Sequence, residues 1–220
     1  MPRVLFEKTG SAIWISHLDL MRVFQRSFRR AGMMLKHTQG YSPRAIVSIA
    51  LPLSVGVESR CELLDIELEG DAAALPPEEI ARRLNEALPA GVRALKVYDQ
   101  GRKLKELTHL QAEVLLEYDQ GVPQGAAEAI RALFSGESVL VDKHSKKGET
   151  QVDLLPMLKS LSVRASDRRI TLEAVCCAQN PSLNPALLAA AVARYLPELA
   201  PSFSMVRRLE VLDAEGRVFR

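Results

Sequence analysis

The sequence predicts an α+β chain of two units with antiparallel sheets. Three observations carry this. The first hundred residues read in the order strand, helix, strand, strand, helix, strand. A polar stretch, Asp99–Leu107, then separates them from a second run of similar segments. The composition is that of a globular chain: 220 residues, 47% hydrophobic and 25% charged, enough for one large or two small domains. The β-α-β-β-α-β order is that of the split βαβ motif. The expected architecture is therefore two tandem ferredoxin-like units, over 1–100 and 107–220.

The elements follow in order. Arg3–Lys8 alternates and reads as a strand, broken by Gly10. Ser16 is a good N-cap, with Asp19 three residues on, for a helix running from His17 to Ala31 and stopping at Gly32. At about 100° per residue, Leu20, Phe24 and Phe28 share one face, and Arg22, Arg26, Arg29 and Arg30 share the opposite one. Lys36–Arg44 is a loop with Gly40, Ser42 and Pro43. Ala45–Leu51 reads as a continuous apolar strand. Cys61–Glu69 alternates, with Leu63, Asp65, Glu67 and Glu69 on one face. Pro76 and Pro77 start a helix to Leu88, with Glu78 and Glu79 favoured in its first turn, and Val92–Tyr98 is the next strand.

In the second half, Leu110–Tyr118, Ser138–Lys143, Arg169–Ala178 and Met205–Leu212 read as strands. Gln124–Phe134 and Pro185–Tyr195 read as helices. Pro156 interrupts Val152–Val163, where a strand start, a turn and a short helical piece are expected.

The formal charge is only +2, yet it is unevenly placed. Between Leu20 and Val57 there is no Asp or Glu, while Arg22, Arg26, Arg29, Arg30, Lys36 and Arg44 bring +6. Such asymmetry speaks to partners, not to fold. The stripe with its loop fits three uses. It would neutralise nucleic-acid phosphates, with Tyr41 stacking on a base. It would be a solvated face, or one paired with Asp65, Glu67 and Glu69 of the neighbouring strand. Or it would dock an acidic protein. Lys143, His144, Lys146 and Lys147 form a secondary basic cluster in a turn, where lysines also serve solubility.

Other chemistry is sparse. Ser16, His17 and Asp19 supply the residue types of a hydrolase triad, but a capping serine and an aspartate in the same turn do not place a base between nucleophile and orienter. His17 and His37 stay as weak acid–base candidates, beside a capping or structural role for His17. The three cysteines, Cys61, Cys176 and Cys177, give neither a disulfide framework nor a CxxC site, and too few thiolates on one loop for an iron–sulfur cluster. Gly-rich phosphate loops and HExxH are missing, and the four His sit at no ligand spacing, so no metal and no cofactor is expected. Trp14 reads as a core-edge residue. The stretch Gly56–Glu62 has no assignable mechanism. With no apolar run long enough for a bilayer and no leader pattern, the chain is expected in the cytoplasm, with no membrane partner.

Several runs carry a family resemblance: Ile15-Ser16-His17-Leu18-Asp19-Leu20, Arg29-Arg30-Ala31, Gly40-Tyr41 and Leu51-Pro52-Leu53-Ser54-Val55-Gly56-Val57-Glu58-Ser59. Val152-Asp153-Leu154 with Pro156, and Asn184-Pro185, extend it. These resemble the radical-SAM-linked family of bacterial proteins, whose members often occur fused to or encoded beside a cobalamin-binding radical SAM protein. Ribonuclease and ribosomal-protein genes are frequent neighbours. The resemblance implies an accessory protein, RNA-binding or substrate-presenting, that acts with a radical SAM partner on an RNA or ribosomal component. It brings no catalytic residues. Two rivals stand beside it: a metal-independent RNA-processing endonuclease, by fold analogy, and a protein-docking adaptor that touches no nucleic acid.

Overall fold

The computed structural model describes the chain from Met1 to Arg220 except Lys146 and Lys147, and except the side chains of 143–145 and 149. The described residues form an α+β protein with four α-helices and antiparallel strands in two compact units. Unit 1 comprises Met1–Glu106 with Val218–Arg220, and unit 2 comprises Leu107–Arg217.

In unit 1 the strands are β1 (Arg3–Lys8), β2 (Val47–Ile49), β3 (Glu58–Ile66) and β4 (Val92–Tyr98). They lie in the order β4-β1-β3-β2, each pair antiparallel. The helices are α1 (His17–Arg30) and α2 (Pro77–Ala87). Val4 and Phe6 of β1, with Leu64 and Ile66 of β3, meet Leu20, Phe24 and Phe28 of α1 and Ile80 and Leu84 of α2 in one core. Phe6 and Phe24 pack edge to face at 4.7 Å, the arrangement the ring quadrupoles favour.

The caps explain the bounds of α1. The Ser16 Oγ accepts the Asp19 N–H at 3.2 Å. At the other end the Met33 N–H reaches the Phe28 carbonyl and the Gly32 N–H the Arg29 carbonyl, with Gly32 at φ +68°. This is a Schellman ending, which needs a left-handed residue. The edge strand β4 is blunted by α2, because Asn85 donates to the Ala94 carbonyl at 2.9 Å and accepts its N–H at 2.8 Å.

Arg3 and Asp65 form a buried ion pair within this unit. Arg3 holds Asp65 through two bonds, 2.6 and 2.9 Å. The Phe219 ring of the C-terminal residues lies 5.3 Å from the Arg3 guanidinium and 5.1 Å from that of Arg102. A side chain at Gly101 would overlap the Arg3 guanidinium, since a Cβ there would sit 2.4 Å from Cζ.

In unit 2 the sheet runs β10 (Phe203–Leu212), β5 (His109–Glu117), β9 (Arg169–Cys177), β8 (Leu158–Ala165), again antiparallel throughout. A separate hairpin joins β6 (Leu140–Ser145) to β7 (Gly148–Asp153). The helices are α3 (Ala126–Phe134) and α4 (Ala186–Tyr195).

Two local expectations need correction. The helical piece expected within Val152–Val163 is a single 3₁₀ turn, Leu155–Met157, after which the chain is extended as β8. Pro156 suits a first turn, where no N–H is required, but not a longer helix. The continuous strand expected at Ala45–Leu51 is the three-residue β2. Among the described residues, no helix is long and apolar enough to cross a membrane.

Candidate nucleic-acid interface

The hydrophobic face of α1 is spent on the core, so its polar face is left outside. Arg22, Arg26, Arg29 and Arg30 are all exposed, as are Lys36, His37, Tyr41 and Arg44 of the following loop. Met33 and Leu35 anchor the start of that segment in the core. Its backbone is then tied at both ends: the Lys36 N–H bonds the Glu67 carbonyl, and the Thr38 N–H and Ile46 N–H close onto Arg44 and Lys36. Thr38 Oγ1 also accepts the Arg44 N–H at 3.0 Å. The basic loop is thus a closed hairpin-like turn next to the helix.

The six cations are not equivalent. Arg22 pairs with Asp19 at 2.8 Å, and Lys36 with Glu67 at 3.1 Å. The Ser16 hydroxyl first, then Arg22, hold the Asp19 carboxyl below the ordinary range. Arg30 donates to Ser27 Oγ and to the Ala87 carbonyl, satisfying an orphan group at the end of α2. Among the described residues, Arg26, Arg29 and Arg44 form no ion pair, although the charge of Arg26 also bears on Asp19. Of the expected internal pairing with Asp65, Glu67 and Glu69, the described residues show only Lys36 with Glu67. Asp65 is taken by Arg3, because it points to the sheet face that holds Arg3.

Arg29, Gln25, His37 and Ala45 line a cavity of about 60 Å³ between α1 and the loop, with Phe28 and Met33 among its apolar walls. Tyr41 is fully exposed. Elsewhere, Arg30, Arg82, Arg83 and Glu86 line a hollow of about 430 Å³. There Arg82 and Arg83 are bound to Glu79 at 2.7 and 2.6 Å, and Arg82 also to Glu86. Those bonds hold the Glu79 carboxyl down at about 2, and Glu79 with Glu86 offsets two of the three arginine charges of that hollow. Of the secondary cluster, the side chains of Lys143 and His144 and the whole of Lys146 and Lys147 lie outside the described residues.

The triad types do not assemble. Ser16 Oγ donates to Asp19 Oδ2 at 2.7 Å while capping the helix. His17 Nδ1 is buried and has no hydrogen-bond partner among the described residues. Neither residue supplies the nucleophile–base–orienter chain. Among the described residues, no group of three or more His, Cys, Asp or Glu could hold a metal ion.

Four residues outside the basic stripe, Lys8, Ser59, Glu62 and Trp14, shape the approach to α1. Lys8 is fully buried, and its Nζ donates to the Ile15 carbonyl at 2.8 Å. Burial lowers its pKa, opposed by the charge of Glu62. Glu62, itself buried, accepts the Ser59 hydroxyl at 2.6 Å. Trp14, expected at the core edge, is 66% exposed instead. The Gly56–Glu62 stretch thus holds Glu62, the buried carboxylate that acts on Lys8, and Ser59, which donates to it. The signal available was a lysine on the inward-facing side of a strand, beside Val4 and Phe6.

The profile of a bacterial family described as "uncharacterized protein conserved in bacteria" (DUF2344) matches residues 2–185. The chain belongs to this family. No curated protein matches its sequence. Among solved structures, a chain in a Cbf5-Nop10-Gar1 complex is similar at TM-score 0.54 and 9% identity, over 96% of this chain and 48% of that one. A chain of an archaeal box H/ACA sRNP Nop10-Cbf5 complex follows at TM-score 0.44 and 10% identity, over 94% and 46%. A protein of unknown function from Galdieria sulphuraria scores 0.26 at 11% identity, over 94% and 96%. The DUF2344 chain spans about half the length of the first two chains. At such identities the first likeness speaks to fold alone.

Proposed function

We propose that this DUF2344 protein is an accessory, RNA-binding protein that acts in the cytoplasm with a radical SAM partner. It presents an RNA or ribosomal target rather than carrying out the chemistry. The observation that carries this is the set of exposed arginines that form no ion pair among the described residues, Arg26, Arg29 and Arg44, on α1 and its loop. Uncompensated guanidinium forks on one side are what a phosphate backbone requires. Arg22 and Lys36 add charge at the cost of releasing Asp19 and Glu67. The radical SAM partner rests on the resemblance of the first sixty residues. In the same reading each unit is ferredoxin-like: the order β4-β1-β3-β2 in unit 1 has its counterpart in β10-β5-β9-β8, with the β6–β7 hairpin inserted.

The test is RNA binding across a salt series. Affinity falls linearly on a log–log plot with a slope set by the phosphates neutralised. Arg26→Ala with Arg29→Ala lowers affinity and flattens the slope. Arg30 is left alone, because it also holds the end of α2. No RNA binding at low salt would favour the docking adaptor. RNA cleavage lost on His17→Ala or His37→Ala would favour the endonuclease.

A further inference from the structure

Trp14 is the chain's one tryptophan, and it stands outside every role given so far. We propose that the RNA is single-stranded and that one of its bases stacks on Trp14, at the head of α1, while its phosphates follow the arginines. This rests on the RNA reading above and sharpens it.

The first ground is exposure. Trp14 is 66% exposed, Leu18 68% and Val55 53%. An indole contributes most when buried, so a tryptophan left in water among other apolar groups marks a contact surface. The second is rigidity. Trp14 ends the 3₁₀ turn Gly10–Trp14. The next carbonyl, of Ile15, is held by the buried Lys8 at 2.8 Å. The preceding one, of Ile13, accepts the Gly56 N–H at 2.9 Å. The edge of the indole rests on Gly56 itself, where a Cβ would stand 3.4 Å from Cζ3 and 3.8 Å from Cη2. The backbone is held on both sides of Trp14 and the ring edge meets Gly56 across the turn, so binding orders little that is not already ordered.

The third ground is placement. Two residues after Ser16, exposed Leu18 opens an arc that also carries Arg22, Arg26 and Arg29, within about 80° of the helix circumference and over roughly 16 Å of its length. An aromatic platform leading into a line of cations is the arrangement by which single strands are held. A duplex hides its base faces in the stack, so it gains from the arginines but not from Trp14. Tyr41, the residue first expected to stack, is fully exposed on its loop, without a comparable brace.

The single tryptophan makes the test direct. The full chain is titrated with a single-stranded RNA of about 12 nucleotides and with the blunt duplex of the same sequence, following Trp14 emission and affinity together. The expected result is quenching by the single strand only. Trp14→Ala then loses about tenfold in affinity for the single strand while duplex affinity and the salt slope stay unchanged. Trp14→Phe keeps most of the affinity. Trp14→Leu, apolar but without a π face, behaves as Trp14→Ala. Arg26→Ala with Arg29→Ala weakens both RNAs. Binding without quenching, equal affinity for the two RNAs with equal loss on Trp14→Ala, or a Trp14→Ala protein that binds as well as the parent overturns the stacking proposal while the RNA reading stands. If neither RNA binds, both fall.

Discussion

Lys8 shows how one residue links the core to the surface. Its β1 neighbours Val4 and Phe6 face the helices, and Lys8 continues that inward register. Its ammonium is removed from water and steadied by the Ile15 carbonyl and by Glu62. A buried charge is retained only with such partners, and removing one partner is costlier than removing both. Lys8→Met is therefore expected to cost about 3 kcal/mol, and Lys8→Met with Glu62→Leu less than the single change, by urea denaturation. The pH dependence has a definite sign. Because burial lowers the pKa of Lys8, the unfolded chain binds more protons than the folded one between the folded pKa and 10.5. Stability then rises with pH through that window. The parent should gain stability between neutral and alkaline pH relative to Lys8→Met. An equal response in both proteins would mean that Lys8 is not the group that titrates.

At the scale of elements, the turn between α2 and β4 is decided by Gly91. It has φ +82°, its carbonyl accepts the Thr9 N–H at 2.7 Å, and a Cβ would lie 2.4 Å from the Thr9 carbonyl oxygen and 2.8 Å from Ala12 Cβ. Neither clash is with a flexible side-chain tip. Gly91→Ala is expected to destabilise unit 1 by about 2 kcal/mol, seen as a lower urea midpoint at unchanged slope. This turn also illustrates what local sequence can and cannot convey. Periodicity and caps placed β1, α1, α2 and β4 closely, since Ser16, Gly32 and Pro77 act within a turn of where they stand. The arginine face was legible for the same reason, because helical spacing is local. One misread segment is Val152–Val163, where Pro156 competes with an apolar run. What could not be read were pairings across long stretches of chain: Lys8 with Glu62, Arg3 with Asp65, Trp14 against Gly56. Those depend on strand register and on one glycine's missing side chain. The expected partnership of Asp65 with the arginine stripe failed on that point, since antiparallel register sets it opposite Arg3.

For the whole molecule, a net charge of +2 conceals a segment of +6 set against a remainder of −4. Two of the six cations are neutralised within their own unit and a third is engaged by a carbonyl. The field available to a partner is concentrated at Arg26, Arg29 and Arg44. If that field acts on phosphates, charge and geometry can be separated. Counterion release counts charges neutralised, whereas bidentate hydrogen bonding needs the guanidinium fork. Replacing all three arginines by lysine is expected to weaken RNA binding several-fold while leaving the salt slope unchanged. Replacing all three by alanine should weaken it further and reduce the slope by about 2 for a single strand, at roughly 0.7 for each phosphate no longer neutralised. The three proteins should unfold at the same urea concentration, because none of these side chains is bonded to another of the described residues. A slope that falls equally in the lysine and alanine proteins would show that the arginines position some other element on the RNA. A slope that changes in neither would place the phosphate-binding groups elsewhere on the chain.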